Sequence, residues 1–143
     1  MPVLTYDPNK ITVVVGGKLM SGFAEDTFVK MGRDEDMWSK VIGVDGVGSR
    51  AKTNNYGGYI ELTLMHTSPS NAILQALATA DEQNGSGAVP AIVRDNQGST
   101  LGTAVTVWVK KIPDVEYGKS VGNRVWTLDT DNLQLAIGGN GVV

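Results

Sequence analysis

The chain has 143 residues, of which 41% are hydrophobic and 19% charged, with a mean hydropathy of −0.07. It is the length of one domain, 1–143, able to bury roughly two thirds of its unfolded surface, and no apolar run nears the roughly 18 residues that cross a bilayer. Twelve Lys and Arg against fifteen Asp and Glu leave a net charge of −3, which offers no footprint for tight nucleic-acid binding, and zero cysteines exclude disulfide scaffolds, thiolate metal sites and thiol nucleophiles.

Met1 to Lys10 carries two prolines and an aspartate where a secretory signal needs a basic start and an apolar core, so the chain is expected to be made and used in the cytoplasm. The β-branched run Ile11-Thr12-Val13-Val14-Val15, Gly16-Gly17 and then Leu19 to Phe23 predict a hairpin with a glycine turn. Thr27 to Met31 and Met37 to Val44 are expected to pair across the charged bend Gly32 to Asp36. Asp45 to Gly58 has few large apolar side chains and is read as a long exposed loop or a protruding hairpin. Tyr59 to His66 alternates Ile60, Leu62 and Leu64 with Tyr59, Glu61 and Thr63, the pattern of a half-buried strand.

One helix follows, expected over Pro69 to Ala80, with Ser68 as N-cap and Ile73, Leu74, Leu77 and Ala80 on one stripe. It ends in the polar, glycine-rich run Asp81 to Gly87. Ala88 to Arg94 and Ser99 to Lys110 predict antiparallel strands about the turn Asp95-Asn96-Gln97-Gly98. In the second of these, Leu101, Val105, Val107 and Val109 are expected on one face, with Ala104 and Trp108 on the other. Val121 to Leu128 and Leu133 to Ile137 are expected to close the chain as a hairpin across Asp129 to Asn132. The sum is a mainly β chain of about eight to ten antiparallel strands in a barrel or sandwich with one flanking α-helix, and eighteen glycines suit its many turns. Its structural core is expected at Ile60, Leu62, Leu64, Leu74, Leu77, Trp108 and Trp126.

No constellation for chemistry assembles from these residues, so neither catalysis nor a cofactor or metal is expected. The single histidine, His66, lies between a strand and the helix cap and reads as structural, not as part of a Ser–His–acid set. Asp34, Glu35 and Asp36 form a hydrophilic bend, without the separately tuned environments that acid/base pairs need. Asp129-Thr-Asp131-Asn132 lacks the glycine and bidentate glutamate of a calcium loop, and Gly43 to Ser49 lacks the endings of phosphate loops. Trp108 and Trp126 lie in valine-rich strands and read as packing rather than base-stacking residues.

Five segments between Ser49 and Trp126, in order, resemble phage tail tube proteins. They are Arg50-Ala-Lys52-Thr53-Asn54; Leu62-Thr-Leu64 running into Thr67-Ser-Pro69-Ser-Asn71 and Leu74-Gln-Ala-Leu77; Asp95-Asn-Gln-Gly98-Ser-Thr100-Leu101; Trp108 to Lys119; and Asn123-Arg124-Val-Trp126. The resemblance implies homohexameric rings stacked into a tube, with strands joined across subunits around a lumen. It further implies a virion location, assembly in the host bacterial cytoplasm and a contractile tail. The implied partners are the tail sheath, a tape-measure protein, baseplate and tail-terminator proteins, with DNA passing through without tight binding. Pairing strand edges between subunits also answers a liability of any incompletely closed barrel, its unpaired backbone groups. The long loop, at Val47, Arg50, Lys52, Thr53, Asn54, Asn55 and Tyr56, is the expected assembly interface. A tube subunit of a contractile injection or type VI-like secretion system, and a small β-barrel binding module, are the competing readings. Filament formation separates tube from module.

Overall fold

A short 3₁₀ turn, Pro8–Lys10, leads into strand β1, Ile11–Val15, and two glycines with positive φ, Gly16 and Gly17, turn it back into the two-residue β2, Lys18–Leu19. In the computed structural model, which describes residues 3–140, eight strands and one helix follow. They are β3 Val29–Arg33, β4 Trp38–Ile42, β5 Gly48–Lys52, β6 Gly58–Met65, α1 Ser70–Asn84, β7 Val89–Asp95, β8 Leu101–Lys111, β9 Asn123–Thr130 and β10 Gln134–Ala136. The mainly β, antiparallel class with one helix therefore holds.

The large sheet runs β2-β1-β7-β8-β9-β6-β3, each neighbour antiparallel, with β10 also on β8; β4 and β5 pair only with each other. Residues 20–24 sew the ends of this path towards one another. Met20 N–H donates to Val13 O at 2.9 Å, while Ala24 N–H donates to Thr63 O at 3.0 Å and Met65 N–H to Gly22 O at 2.9 Å. The result is a barrel-like curl with a seam, because Ile11 and Thr12 of β1 and the outer edge of β3 have no strand partner there among the described residues. Inside lie Val13, Val15, Ile60, Leu62, Leu64, Leu74, Ala91, Val93, Val107, Trp126, Leu128 and Leu133.

The helix starts one residue later and ends four residues later than its periodicity predicts. Ser68 still caps it, its hydroxyl accepting from Ser70 N–H at 3.2 Å and donating to Ser21 O at 2.6 Å, and Gly85 ends it in the left-handed conformation with φ 71°. Leu74 is fully buried, whereas Leu77 and Ile73 are half-buried against the core. The helix is tied to β9 by Trp126 Nε1, which donates to Asn71 Oδ1 at 2.8 Å.

Three strand expectations need correction. The segments around Thr27 to Met31 and Met37 to Val44 do not pair with each other: β3 joins β6, with Met31 opposite Ile60, and β4 joins β5. The chain's last strands are not a hairpin either. Thr130 Oγ1 accepts from Asn132 N–H at 3.2 Å, Leu133 drops into the core, and β10 carries on along the same edge of β8 that β9 occupies. Finally, the faces of β8 switch along its length. The ladder to β7 steps from Val89 opposite Val107 to Ala91 opposite Ala104, so β8 holds one extra residue there. Ala104 and Val107 both point inward as a result, Val105 is exposed, and Trp108 moves to the outer face, half-buried and outside the core that was expected to contain it.

Candidate assembly surface

Every residue of β4 and β5 is exposed, a condition no other paired strands of this length share. A two-stranded ribbon in water is marginal on its own, so its shape depends on its turn, its root and its cross-strand pairs. At the turn, Gly43 N–H donates to Val47 O at 2.8 Å and Gly46, with φ 85°, donates to Gly43 O at 3.0 Å, while Asp45 Oδ1 accepts from Val47 N–H at 3.2 Å. Asp45-Gly46 is the local signal for this reversal. At the root, Thr53 N–H donates to Met37 O at 3.0 Å and Thr53 Oγ1 to Glu35 Oε2 at 3.0 Å.

Period two divides the ribbon into unlike faces. One face places Trp38 opposite Lys52, Lys40 opposite Arg50 and Ile42 opposite Gly48, with the Arg50 guanidinium 3.8 Å from the centre of the Trp38 ring. The other places Ser39 opposite Ala51 and Val41 opposite Ser49, a face with no charge. The tip adds Val44, fully exposed, and Val47.

The seven loop residues expected at an interface divide accordingly. Val47, Arg50 and Lys52 belong to the exposed ribbon, as does Asn54 just beyond it. Thr53 and Asn55 build the root, Asn55 Oδ1 accepting from Gly57 N–H at 2.9 Å. Tyr56 is half-buried, its carbonyl accepting from Leu133 N–H at 2.8 Å and its ring lying 5.2 Å from the Arg33 guanidinium and 5.9 Å from Lys52 Nζ, so it anchors the ribbon to the barrel. The expected loop thus starts too late. Met37, Trp38, Lys40, Val41, Ile42 and Val44 share the protrusion, and the alternation of Trp38 to Ile42 about Asp45-Gly46 carried that signal.

Asp34, Glu35 and Asp36 line one cleft at the root of the ribbon with Trp38 and Thr53. His66 Nδ1 accepts from Gly122 N–H at 3.0 Å and pins the segment between β8 and β9 to the end of β6. Among the described residues no group of three or more His, Asp or Glu is placed to hold a metal ion, and no helix is long and apolar enough to cross a membrane.

Comparison with known proteins bears on the fold and the family. The chain is 27% identical to "Structural protein ORF10" of Pseudomonas phage KPP10 over 144 residues, 95% of this chain and 83% of that protein. In fold it is similar to a chain of the sheath/tube terminator of the extracellular contractile injection system PVC in its extended state, with TM-score 0.64, 11% identity, and 93% of this chain and 97% of that one covered. It is also similar to the tube-terminating cap of the anti-feeding prophage, with TM-score 0.64, 10% identity and 95% of each chain covered. A chain of the PVC sheath–tube complex matches with TM-score 0.62, 12% identity, and 92% and 91% coverage. Residues 9–138 match the family model described as bacteriophage PhiTE tail tube protein, and the chain belongs to that family of phage tail tube proteins.

Proposed function

We propose that this protein is the repeating subunit of a phage tail tube, forming homohexameric rings that stack around a lumen through which DNA leaves the virion. The observation that carries the reading is the wholly exposed β4–β5 ribbon, together with an open seam, in a chain of the tail tube family. A ribbon without internal support and a sheet with free edges both gain by meeting other copies, since lateral pairing satisfies open N–H and C=O groups. Ring-to-ring contact is heterologous and so propagates into a filament instead of closing.

The task is structural, with no reaction to catalyse, and the partners it calls for are a tape-measure protein inside, a contractile sheath outside, and baseplate and tail-terminator proteins at the ends. A net charge of −3 lets phosphates pass without sticking. A second reading, a terminator that caps a tube, draws on the likeness to two terminator assemblies.

Sedimentation of the purified protein across a concentration series, with electron microscopy of the largest species, tests the reading. A repeating subunit gives hexamer-sized species that lengthen into tubes as concentration rises, whereas a terminator stops at a single ring and a binding module stays monomeric. At about 150 mM salt a mobility-shift titration should show no DNA complex at micromolar protein, where non-specific binders with Kd of roughly 10⁻⁴–10⁻⁶ M begin to appear.

A further inference from the structure

Two features of the free subunit work against it as it stands. Lys40 and Arg50 lie directly opposite each other in the β4–β5 ladder, and like charges so placed destabilise a pair of strands, offset here only in part by the Arg50 guanidinium over the Trp38 ring. Beyond them the ribbon ends in Ile42, Val44 and Val47, three exposed apolar side chains whose exposure promotes association.

The barrel seam carries the complement to both. A cleft of about 570 Å³ opens beside the unpaired edges of β1 and β3, a volume in the range of sites that enclose small apolar groups. Ile11, Phe28, Met31 and Val93 line it with apolar surface, and Glu25 and Asp26 stand exposed at its rim. Asp95 adds a third carboxylate deeper in, and no Lys or Arg lines the cleft among the described residues. The ribbon from Met37 to Lys52 carries three cations, Lys40, Arg50 and Lys52, against one anion, Asp45, whose carboxylate is engaged by the Val47 N–H of its own turn.

We propose that this cleft is the socket for the β4–β5 ribbon of a second copy, the Ile42–Val44–Val47 tip entering it while Lys40 and Arg50 meet Glu25 and Asp26. Two residues along a strand is about 7 Å, so Lys40 sits about that far behind Ile42 on the same face of the ribbon. A plug and a socket built from different residues of one chain make a heterologous contact, the kind that repeats from copy to copy. The inference rests on the self-assembly reading above and adds the site at which the ribbon docks. The rim pairs set orientation and partner choice, and the buried tip supplies most of the attraction.

The cysteine-free background makes the test direct. Full-length Val44→Cys and Thr27→Cys chains, the latter altered in the cleft lining, are mixed under assembling conditions and oxidised, and disulfide-linked peptides are mapped. A 44–27 link between different chains supports the socket. Tubes that form without that link overturn the socket alone and leave the cleft to another occupant, whereas chains that stay monomeric overturn the self-assembly reading and the socket with it. A charge-swap arm guards against disulfides made by chance encounter. Lys40→Glu with Arg50→Glu should raise the concentration needed for assembly by about tenfold or more, the effect of removing attractive rim pairs and adding repulsive ones. Adding Glu25→Lys and Asp26→Lys to the same chain should restore assembly, while failure of that rescue in a chain with native circular dichroism counts against the pairing.

Discussion

Strands β6 and β4 are both short, β-rich and begun near a glycine or a charged bend, yet they live in opposite surroundings. β6 lies between β9 and β3, and its residues alternate buried and half-buried from Gly58 to Leu64, with Ile60, Leu62 and Leu64 fully enclosed. β4 has β5 on one side and, among the described residues, no strand on the other, and all five of its residues are exposed. Local propensity is similar in the two, so the contrast teaches that neighbours, not strand formation, separate the part of this molecule that holds itself together from the part that its own fold leaves exposed.

The sharpest way to break that comparison is Leu62→Ala. Emptying a fully enclosed leucine site should cost about 2–5 kcal/mol, and in a domain of this size each kcal/mol lowers the thermal midpoint by roughly 2–4 °C. A calorimetric midpoint unchanged by Leu62→Ala would contradict the placement of the core. Next in size is Leu77→Ala. Because Leu77 is half-buried, its loss should fall below that of Leu62, at about 1–2 kcal/mol, while exposed Gln75→Ala should stay within about 0.5 kcal/mol. Equal shifts for the two helix substitutions in urea unfolding would reject the packed face of α1.

The smallest effect on folding is expected from the ribbon itself. Replacing Ser39 to Ala51 by a short glycine turn, which keeps Tyr56 and its bond to Leu133, should move stability by less than about 1 kcal/mol because the excised residues are all exposed and add nothing to the core. The same variant should yield folded subunits or isolated rings and no long tubes by electron microscopy. Normal tubes from it would show that the protrusion has no part in assembly.

Much of the local architecture is legible in the residues. The alternation of Ile60, Leu62 and Leu64, the Ser68 cap and the Gly16-Gly17 reversal each depend on side chains a few positions apart, and so does the polar run around Asp45-Gly46 that marks the protrusion. Tertiary structure alone decided the pairings. Whether β3 meets β4 or β6, and whether β10 folds back on β9 or continues along β8, depends on contacts between residues far apart in the chain, about which period-two alternation is silent. The extra residue in β8 is of the same kind. Nothing in Ala104 to Trp108 announces a bulge, yet one inserted residue reverses the parity of the side chains that follow, up to a second register shift between Val109 and Lys111, burying Val107 and turning Trp108 outward. The seam cleft is likewise a product of the fold, since Ile11, Phe28, Met31 and Val93 face one space only after the sheet has curled far enough to bring β3 beside β1.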